Sequence, residues 1–223
     1  SLDTLAPATL VTAELSSQPN AGDTSVRVSG SFTETNPSTN ALNVAINGGA
    51  YGATTTGSSG TATITSQSTT VGSALTGNDY ISKVRILETD SYGRSATNEN
   101  TSLSESLKYV KPFTQSAPTV DNPQNTSIDV TVNSHAGESA SVEYAIFEVS
   151  AGKYVQGNGT LGNSAVWRSL GTGAGQWGVG LGISGKVRVS SLTSPVAQYS
   201  FETKSRNPSD AAHQASSESA LSS

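Results

Sequence analysis

Apolar and polar residues alternate along most of this chain in short runs separated by turn signals. Leu10, Thr12 and Glu14 stand opposite Val11, Ala13 and Leu15, and after the turn cluster Pro19–Asp23 the residues Val26, Val28, Gly30 and Phe32 share one face. Leu42, Val44 and Ile46 repeat the pattern before Gly48–Gly49. Val84 and Ile86 repeat it within Ile81–Thr89, which runs into the turn Asp90–Gly93, and Leu107, Tyr109 and Val110 close this half. Further on, Ile128, Val130 and Val132 alternate, then Val142, Tyr144, Ile146 and Glu148, then Val187 and Val189. A period of two marks a strand with one face buried. Strands of this length, with turns about every 8–12 residues, predict an all-β sandwich architecture. Ala50–Ser73 has little apolar content beyond Tyr51, Ile64 and Val71 and reads as an exposed hairpin or an edge strand. No helix is predicted, because the best candidate, Ser209–Ala220, lacks an apolar stripe.

The stretch Leu192–Asn207, LTSPVAQYSFETKSRN, narrows the fold. Tyr199, Phe201, Thr203 and Ser205 fall on one face and Ser200, Glu202, Lys204 and Arg206 on the other. A tyrosine at the entry to such a strand fits a tyrosine corner, whose hydroxyl bonds back to upstream backbone. With Leu192 and Pro195 ahead of Tyr199, the stretch resembles the E–F corner of a fibronectin type III domain, and the resemblance covers about residues 116–223. It implies a proline-led start at Ala117–Pro118, strands over the alternating runs above, and a last strand within Ser209–Ala220. Leu192 and Tyr199 stand one residue further apart than is usual in that family, so a bulged corner is expected. The family's second-strand tryptophan is missing, which leaves Trp167 and Trp177 to fill core volume from the other side. There is no Arg-Gly-Asp triplet, and the fold itself hosts many unrelated roles.

At 223 residues the chain has room for two sandwiches of about 100 residues each. The expected organisation is a divergent immunoglobulin-like sandwich with an N-terminal extension over 1–115 and a fibronectin type III-like sandwich over 116–223. The two prolines of Lys111–Thr119 stiffen the connection. Leu2, Leu5 and Pro7 precede the first strand, which begins near Leu10. An apolar segment set off by a proline can add to an exposed sheet edge of another subunit, so these four residues are the candidate assembly contacts.

Composition bears on partners and location. Hydrophobic residues make up 34% and charged residues 13%, both below the roughly 45–50% (counting glycine) and 25% of ordinary domains. Serine, threonine, asparagine, glycine and alanine fill the difference. The apolar residues are clustered in alternating runs, which argues against disorder, and small polar residues on outward strand faces account for the bias. A net charge of −5 points to neither nucleic acid nor an anionic membrane as partner. No apolar stretch reaches the roughly 18 residues of a membrane span. The absence of cysteine excludes disulfides and thiolate metal sites. The absence of methionine makes Ser1 either a processed or a trimmed terminus. Asn100, Asn125 and Asn158 match the glycosylation pattern, as expected by chance in a chain this rich in Asn, Ser and Thr.

No reaction centre is evident. His135 and His213 lack partners at metal-ligand spacing and read as solvent-exposed, and no nucleophile elbow occurs. The loop carboxylates Asp79, Glu88 and Asp90, and the pair Asp121 and Asp129, are too sparse for calcium. Gly171–Gly185 lacks the lysine and the strand–turn–helix setting of a phosphate loop and reads as a flexible connection. Tyr154, Trp167 and Trp177 are the candidate contacts if the module binds a glycan on an aromatic platform. The expectation is a non-enzymatic structural subunit of an extracellular or cell-surface microbial filament, tube or layer. It would need no cofactor, no catalytic residue and no metal, and its partner would be itself. The alternative is a carbohydrate-binding or adhesive module of a larger secreted or surface protein.

Overall fold

A computed structural model describes residues 10–32, 36–56, 63–101, 103 and 107–223. Among these residues the only helical element is the 3-10 turn Val196–Gln198. The chain divides into two compact units, Ser1–Val110 with Asp210–Gln214, and Lys111–Ser209 with Ala215–Ser223.

The first unit contains β1 (Leu10–Leu15), β2 (Ser25–Phe32), β3 (Pro37–Ile46), β4 (Thr55–Thr56), β5 (Thr63–Thr70), β6 (Ile81–Asp90) and β7 (Ser95–Asn100). They form two antiparallel sheets, ordered β1-β2-β5 and β4-β3-β6-β7. Val26, Val28 and Ile64 from one sheet and Leu42, Val44, Val84 and Ile86 from the other are all buried. These are the apolar positions of the period-two runs, with Ile64 supplied by an otherwise polar strand. Val110 is also fully buried, whereas Leu107 is exposed. The turn after β6 is held by Asp90, whose carboxylate accepts hydrogen bonds from the backbone N–H of Tyr92 and Arg94 and from the Arg94 guanidinium. Beyond that turn lies β7, SATNEN, which has no apolar alternation of its own. It is a strand because β6 offers it a ladder, with Thr89 opposite Ser95 and Val84 opposite Asn100.

The second unit contains β8 (Thr119–Asp121), β9 (Ile128–Thr131), β10 (Glu143–Glu148), β11 (Lys153–Val155), β12 (Leu161–Gly162), β13 (Lys186–Val189) and β14 (Phe201–Arg206). The sheet β13-β9-β8 and the sheet β12-β11-β10-β14 enclose one core. Ile128, Val130, Val132 and Val189 meet Val142, Tyr144, Ile146, Val155 and Phe201 there, together with Trp177. Glu148, fully buried at the end of β10, accepts from the backbone N–H of Ser150 and Ala151 and so closes the turn into β11. The inward side of β14 is polar in its second half. Thr203 donates to the Ser116 carbonyl, and the Ser205 hydroxyl donates to the Phe113 carbonyl and accepts from Gln115. These bonds fasten the stretch after Lys111 to β14.

The expected last strand is absent in its usual form. The chain after Ala215 runs beside β14 with a period of three. Ser216, Ser219 and Ser222 donate their backbone N–H to the carbonyls of Asn207, Ser205 and Thr203. Their hydroxyl oxygens accept from the backbone N–H of the same three residues at 2.8, 2.9 and 2.9 Å. Each serine therefore presents both a donor and an acceptor to β14, with its hydroxyl in the place of a backbone carbonyl. Because three residues here span two of β14, the segment advances only about 2.2 Å per residue, against roughly 3.3 Å in a strand. The hydroxyls of Ser216 and Ser219 then donate to the carbonyls of Ser217 and Ala220.

Replacing Ser219 by alanine leaves the buried Ser205 N–H without its acceptor. The expected outcome is a loss of about 1–3 kcal/mol from the second unit in chemical denaturation, with faster hydrogen exchange at the Ser205 amide. Unchanged stability and exchange would mean that the hydroxyl ladder does not hold this edge.

Candidate functional site

The residues singled out from the sequence lie in separate places. Leu2, Leu5 and Pro7 lie outside the described residues. Leu10 is the first residue of β1 and pairs with Phe32.

Leu192, Pro195 and Tyr199 build the approach to β14. Leu192 is buried, and the Ser194–Pro195 peptide is cis. The turn Val196–Gln198 follows and leads into Tyr199. The Tyr199 hydroxyl accepts a hydrogen bond from the backbone N–H of Thr193 at 3.0 Å. The tyrosine thus ties the start of β14 to backbone six residues upstream, and the additional residue between Leu192 and Tyr199 is accommodated within this turn.

Tyr154, Trp167 and Trp177 do not form an aromatic platform. Trp177 is 1% exposed. Its indole N–H donates to the Tyr144 carbonyl at 2.8 Å, so it is a core residue with no ring face for a sugar. Trp167 and Tyr154 are half-buried on the outward side of the β11-β10-β14 sheet, where the outward cations of β14 cover them. Lys204 Nζ lies 5.1 Å from the Tyr154 ring centre and 5.3 Å from that of Trp167, and Arg206 Cζ lies 4.5 Å from Trp167. Glu218 pairs with Lys204, and Glu143 pairs with Arg206 at 2.9 Å. Alternating cations and rings with a carboxylate at each cation form a self-satisfied row, in which cation–π attraction and ion pairing hold side chains that would otherwise be free to bind.

The glycine-rich stretch after Leu170 is a folded loop, not the flexible connection its composition suggested. Trp177 N–H donates to the Ser169 carbonyl, while the Trp177 carbonyl accepts from Gly171 and Gly185. The Gln176 side chain accepts from Gly173 N–H and donates to the Ser169 hydroxyl. At Gly178, with φ +123°, a Cβ would lie 2.3 Å from the Ile183 carbonyl oxygen, so a side chain there is excluded.

The two histidines are more engaged than the sequence suggested. His135 stacks on Phe113 with ring centres 4.1 Å apart. In the first unit His213 packs on Tyr80 at 4.2 Å, and its Nδ1 lies 2.9 Å from Asp210. The hydroxyl of Tyr109 donates to the same carboxylate at 2.5 Å. That bond, followed by burial, pushes the Tyr109 phenol up to about 12, and the same bond, with those from His213 and the Ala212 N–H, holds Asp210 well below the usual carboxylate range. The sequence signal was the three-residue spacing of Asp210 and His213; the tyrosines come from distant strands. Among the described residues no three His, Cys, Asp or Glu side chains lie close enough to hold a metal, and no helix is long and apolar enough to cross a membrane.

No family model matches the chain, and no curated protein matches it. Among solved structures it is similar to a two-domain fibronectin type III segment from chicken tenascin, with a TM-score of 0.44, 7% identity and 95% of each chain covered. It is also similar to two crystal forms of a cytokine receptor complex. The first has a TM-score of 0.37 and 14% identity, with 95% of this chain and 94% of that one covered. The second has a TM-score of 0.37 and 12% identity, with 94% and 100% covered. Among the described residues the chain is all-β apart from one 3-10 turn, each unit is built of two antiparallel sheets, and the second carries the corner bond that the resemblance to a fibronectin type III domain implied.

Tyr199→Phe should destabilise the second unit by about 0.5–1.5 kcal/mol through the lost corner bond. Tyr199→Ala should cost about 2 kcal/mol or more, because a cavity is added. Equilibrium unfolding in denaturant checks both.

A pH dependence follows from Asp129. Hydrogen bonds from Arg188, at 2.7 and 2.9 Å, and from Asn122 outweigh burial and hold its carboxyl below the usual range. A depressed folded pKa gives stability that is fully present above the unfolded value of about 3.9 and is lost as pH falls through the folded value. The second unit should therefore weaken as pH falls below about 4. Asp129→Asn should be less stable at pH 7 and flatter across that window, as read by denaturant midpoints at each pH.

Proposed function

We propose that this protein is a non-catalytic structural subunit of an extracellular microbial filament, tube or surface layer, assembled through contacts between copies of itself. The observation that carries this reading is the chemistry of the sheet edges. β5, TITSQSTT, stands at the edge of its sheet over eight residues with neither a charge nor a proline, although its register against β2 shifts between Val28 and Gly30. Sandwiches that stay monomeric ordinarily guard such edges with lysine, proline or a bulge. β7 carries one charge, Glu99, and β8 presents an exposed Val120 beside Asp121. Hydroxyl- and amide-bearing edges of this kind suit pairing with another strand.

Leu2–Ala6 is the segment we assign to that pairing, because it is apolar and Pro7 sets it off from β1. It would lie along an exposed edge of a neighbouring copy, and open head-to-tail contacts of this type give fibres. The aromatic row Tyr154–Trp167 lends no support to a glycan platform, since its rings are already covered by Lys204 and Arg206.

Electron microscopy of the purified protein at increasing concentration tests the proposal. Filaments, tubes or sheets are expected from the full chain, and a folded monomer by light scattering and circular dichroism after deletion of residues 1–6. A full chain that stays monomeric at every concentration overturns self-assembly. Assembly that survives the deletion overturns the role of Leu2 and Leu5.

A further inference from the structure

The folded glycine loop of the second unit encloses a pocket that the structural role does not use. It holds about 380 Å³ between the turn Gly157–Gly159, the loop Gly178–Leu181 and strand β13. Small-molecule sites fall in the range of about 300–1,000 Å³. At about 30 Å³ for each water, the space takes roughly a dozen non-hydrogen atoms, the size of one hexose-derived residue and more than one acidic side chain fills.

Three cations line this space, Arg168, Lys186 and Arg188, and no carboxylate does. Two of the three are paired outside it, Lys186 with Asp121 at 3.0 Å and Arg188 with Asp129 at 2.7 Å. Arg168 differs. Its guanidinium donates to the Gly157 carbonyl at 3.3 Å and lies 5.2 Å from the Trp177 ring centre. No carboxylate lies within ion-pair distance of it among the described residues. A guanidinium is always charged and presents its donors as a planar fork that matches a carboxylate.

The seat of that guanidinium is built. A Cβ at Gly157 would fall 1.9 Å from Arg168 Nη2, and a Cβ at Gly159, with φ +83°, would fall 2.2 Å from the Arg188 carbonyl oxygen. Gly159 is thus fixed by its close approach to the β13 backbone, and the guanidinium occupies the space that a side chain at Gly157 would take. Apolar surface completes the lining, with Val179 45% exposed and Leu181 and Val187 beside it. Asn158 accepts at its side-chain oxygen from Thr160, which directs its amide NH₂ to other acceptors.

We infer that this pocket binds a single acidic sugar residue, with its carboxylate on Arg168, its hydroxyls on Asn158 and the loop backbone, and its C–H face against Val179 and Leu181. The site is distinct from the aromatic row and independent of the assembly reading.

Amide chemical shifts of the full chain, titrated with glucuronate, with glucose, with N-acetylglutamate and with sodium sulfate, test it. Glucuronate should move the amides of Gly157–Gly159 and Gly178–Leu181 saturably, with glucose at least tenfold weaker. Arg168→Gln should weaken glucuronate at least tenfold with the amide resonances of Ile128 and Phe201 in place, which report an intact core. Lys186→Gln should weaken it less. Glucuronate that leaves these amides unmoved in the parent chain overturns the inference without recourse to any variant. Equal binding of glucose or sulfate overturns it, as does tighter binding of N-acetylglutamate, which would make this a site for an acidic peptide. Retained affinity in Arg168→Gln overturns the role of Arg168.

Discussion

The second unit depends on the seating of Trp177. Its indole N–H meets the Tyr144 carbonyl, which already accepts from the Arg168 backbone, so one carbonyl joins strand β10, the residue after Trp167 and the glycine loop. The Trp177 backbone draws in Ser169, Gly171 and Gly185. A large aromatic from a loop thus replaces the strand-borne tryptophan that a sandwich of this kind usually places in its core. Gly178 follows from that choice: folding the loop over the ring brings carbonyls within 2.4 Å of where a Cβ there would stand, so at this position glycine is a steric requirement of close packing. The same loop, once fixed, forms one wall of the pocket and places Arg168 over the ring.

The last segment solves an edge problem by side-chain chemistry. β14 pairs with β10 on one side and would otherwise end the sheet with a row of free backbone groups. Serines at every third residue satisfy that row without making a new strand, and two of their hydroxyls bind the carbonyls that follow. A segment advancing about 2.2 Å per residue does not present the regular spacing of donors and acceptors that a further strand needs. This edge is therefore closed to strand addition, although the segment carries few charges. Under the proposed assembly, strand pairing would fall to edges such as β5, β7 and β8. A chain this poor in charge does not leave every edge open, and the one it closes lies next to the corner that orients β14.

Most strands were legible because burial on one face writes itself as a period of two. The runs at Val26–Phe32, Leu42–Ile46, Ile81–Thr89 and Val142–Glu148 fall on strands, with Val26, Val28, Leu42, Val44, Val84, Ile86, Tyr144 and Ile146 inside. β7 was not legible, since its ladder comes from its neighbour β6 and not from its own apolar residues. The serine ladder has a period of three and makes its bonds through hydroxyls, so it carries no apolar signal. The tyrosine corner could be read because one side chain performs it at a fixed place before an alternating run. The aromatic row was half visible: Trp167 and Tyr154 stood out, as did the outward face with Lys204 and Arg206, but their meeting depends on sheet neighbours remote in sequence. The histidines failed for the same reason, because Phe113 and Tyr80 reach them from elsewhere in the chain.

Charge in the second unit is mostly neutralised where it stands. Lys186 faces Asp121, Arg188 faces Asp129, Arg206 faces Glu143 and Lys204 faces Glu218, two of the cations also lying over aromatic rings. Exposed pairs of this sort contribute little stability singly, but together they remove long-range fields and leave hydroxyl and amide groups as the surface that other molecules meet. That suits repeated, short-range contact between copies, where an unbalanced charge on one copy would repel the same charge on the next. Arg168, like Lys111 and Lys153, has no carboxylate partner among the described residues, and it differs from them in being held by a carbonyl and a ring. The wall beside it is fixed at Gly159, where a Cβ would meet the Arg188 carbonyl. The place of Arg168 beside the pocket, more than the lack of a carboxylate partner, is what equips the module to recognise something other than itself.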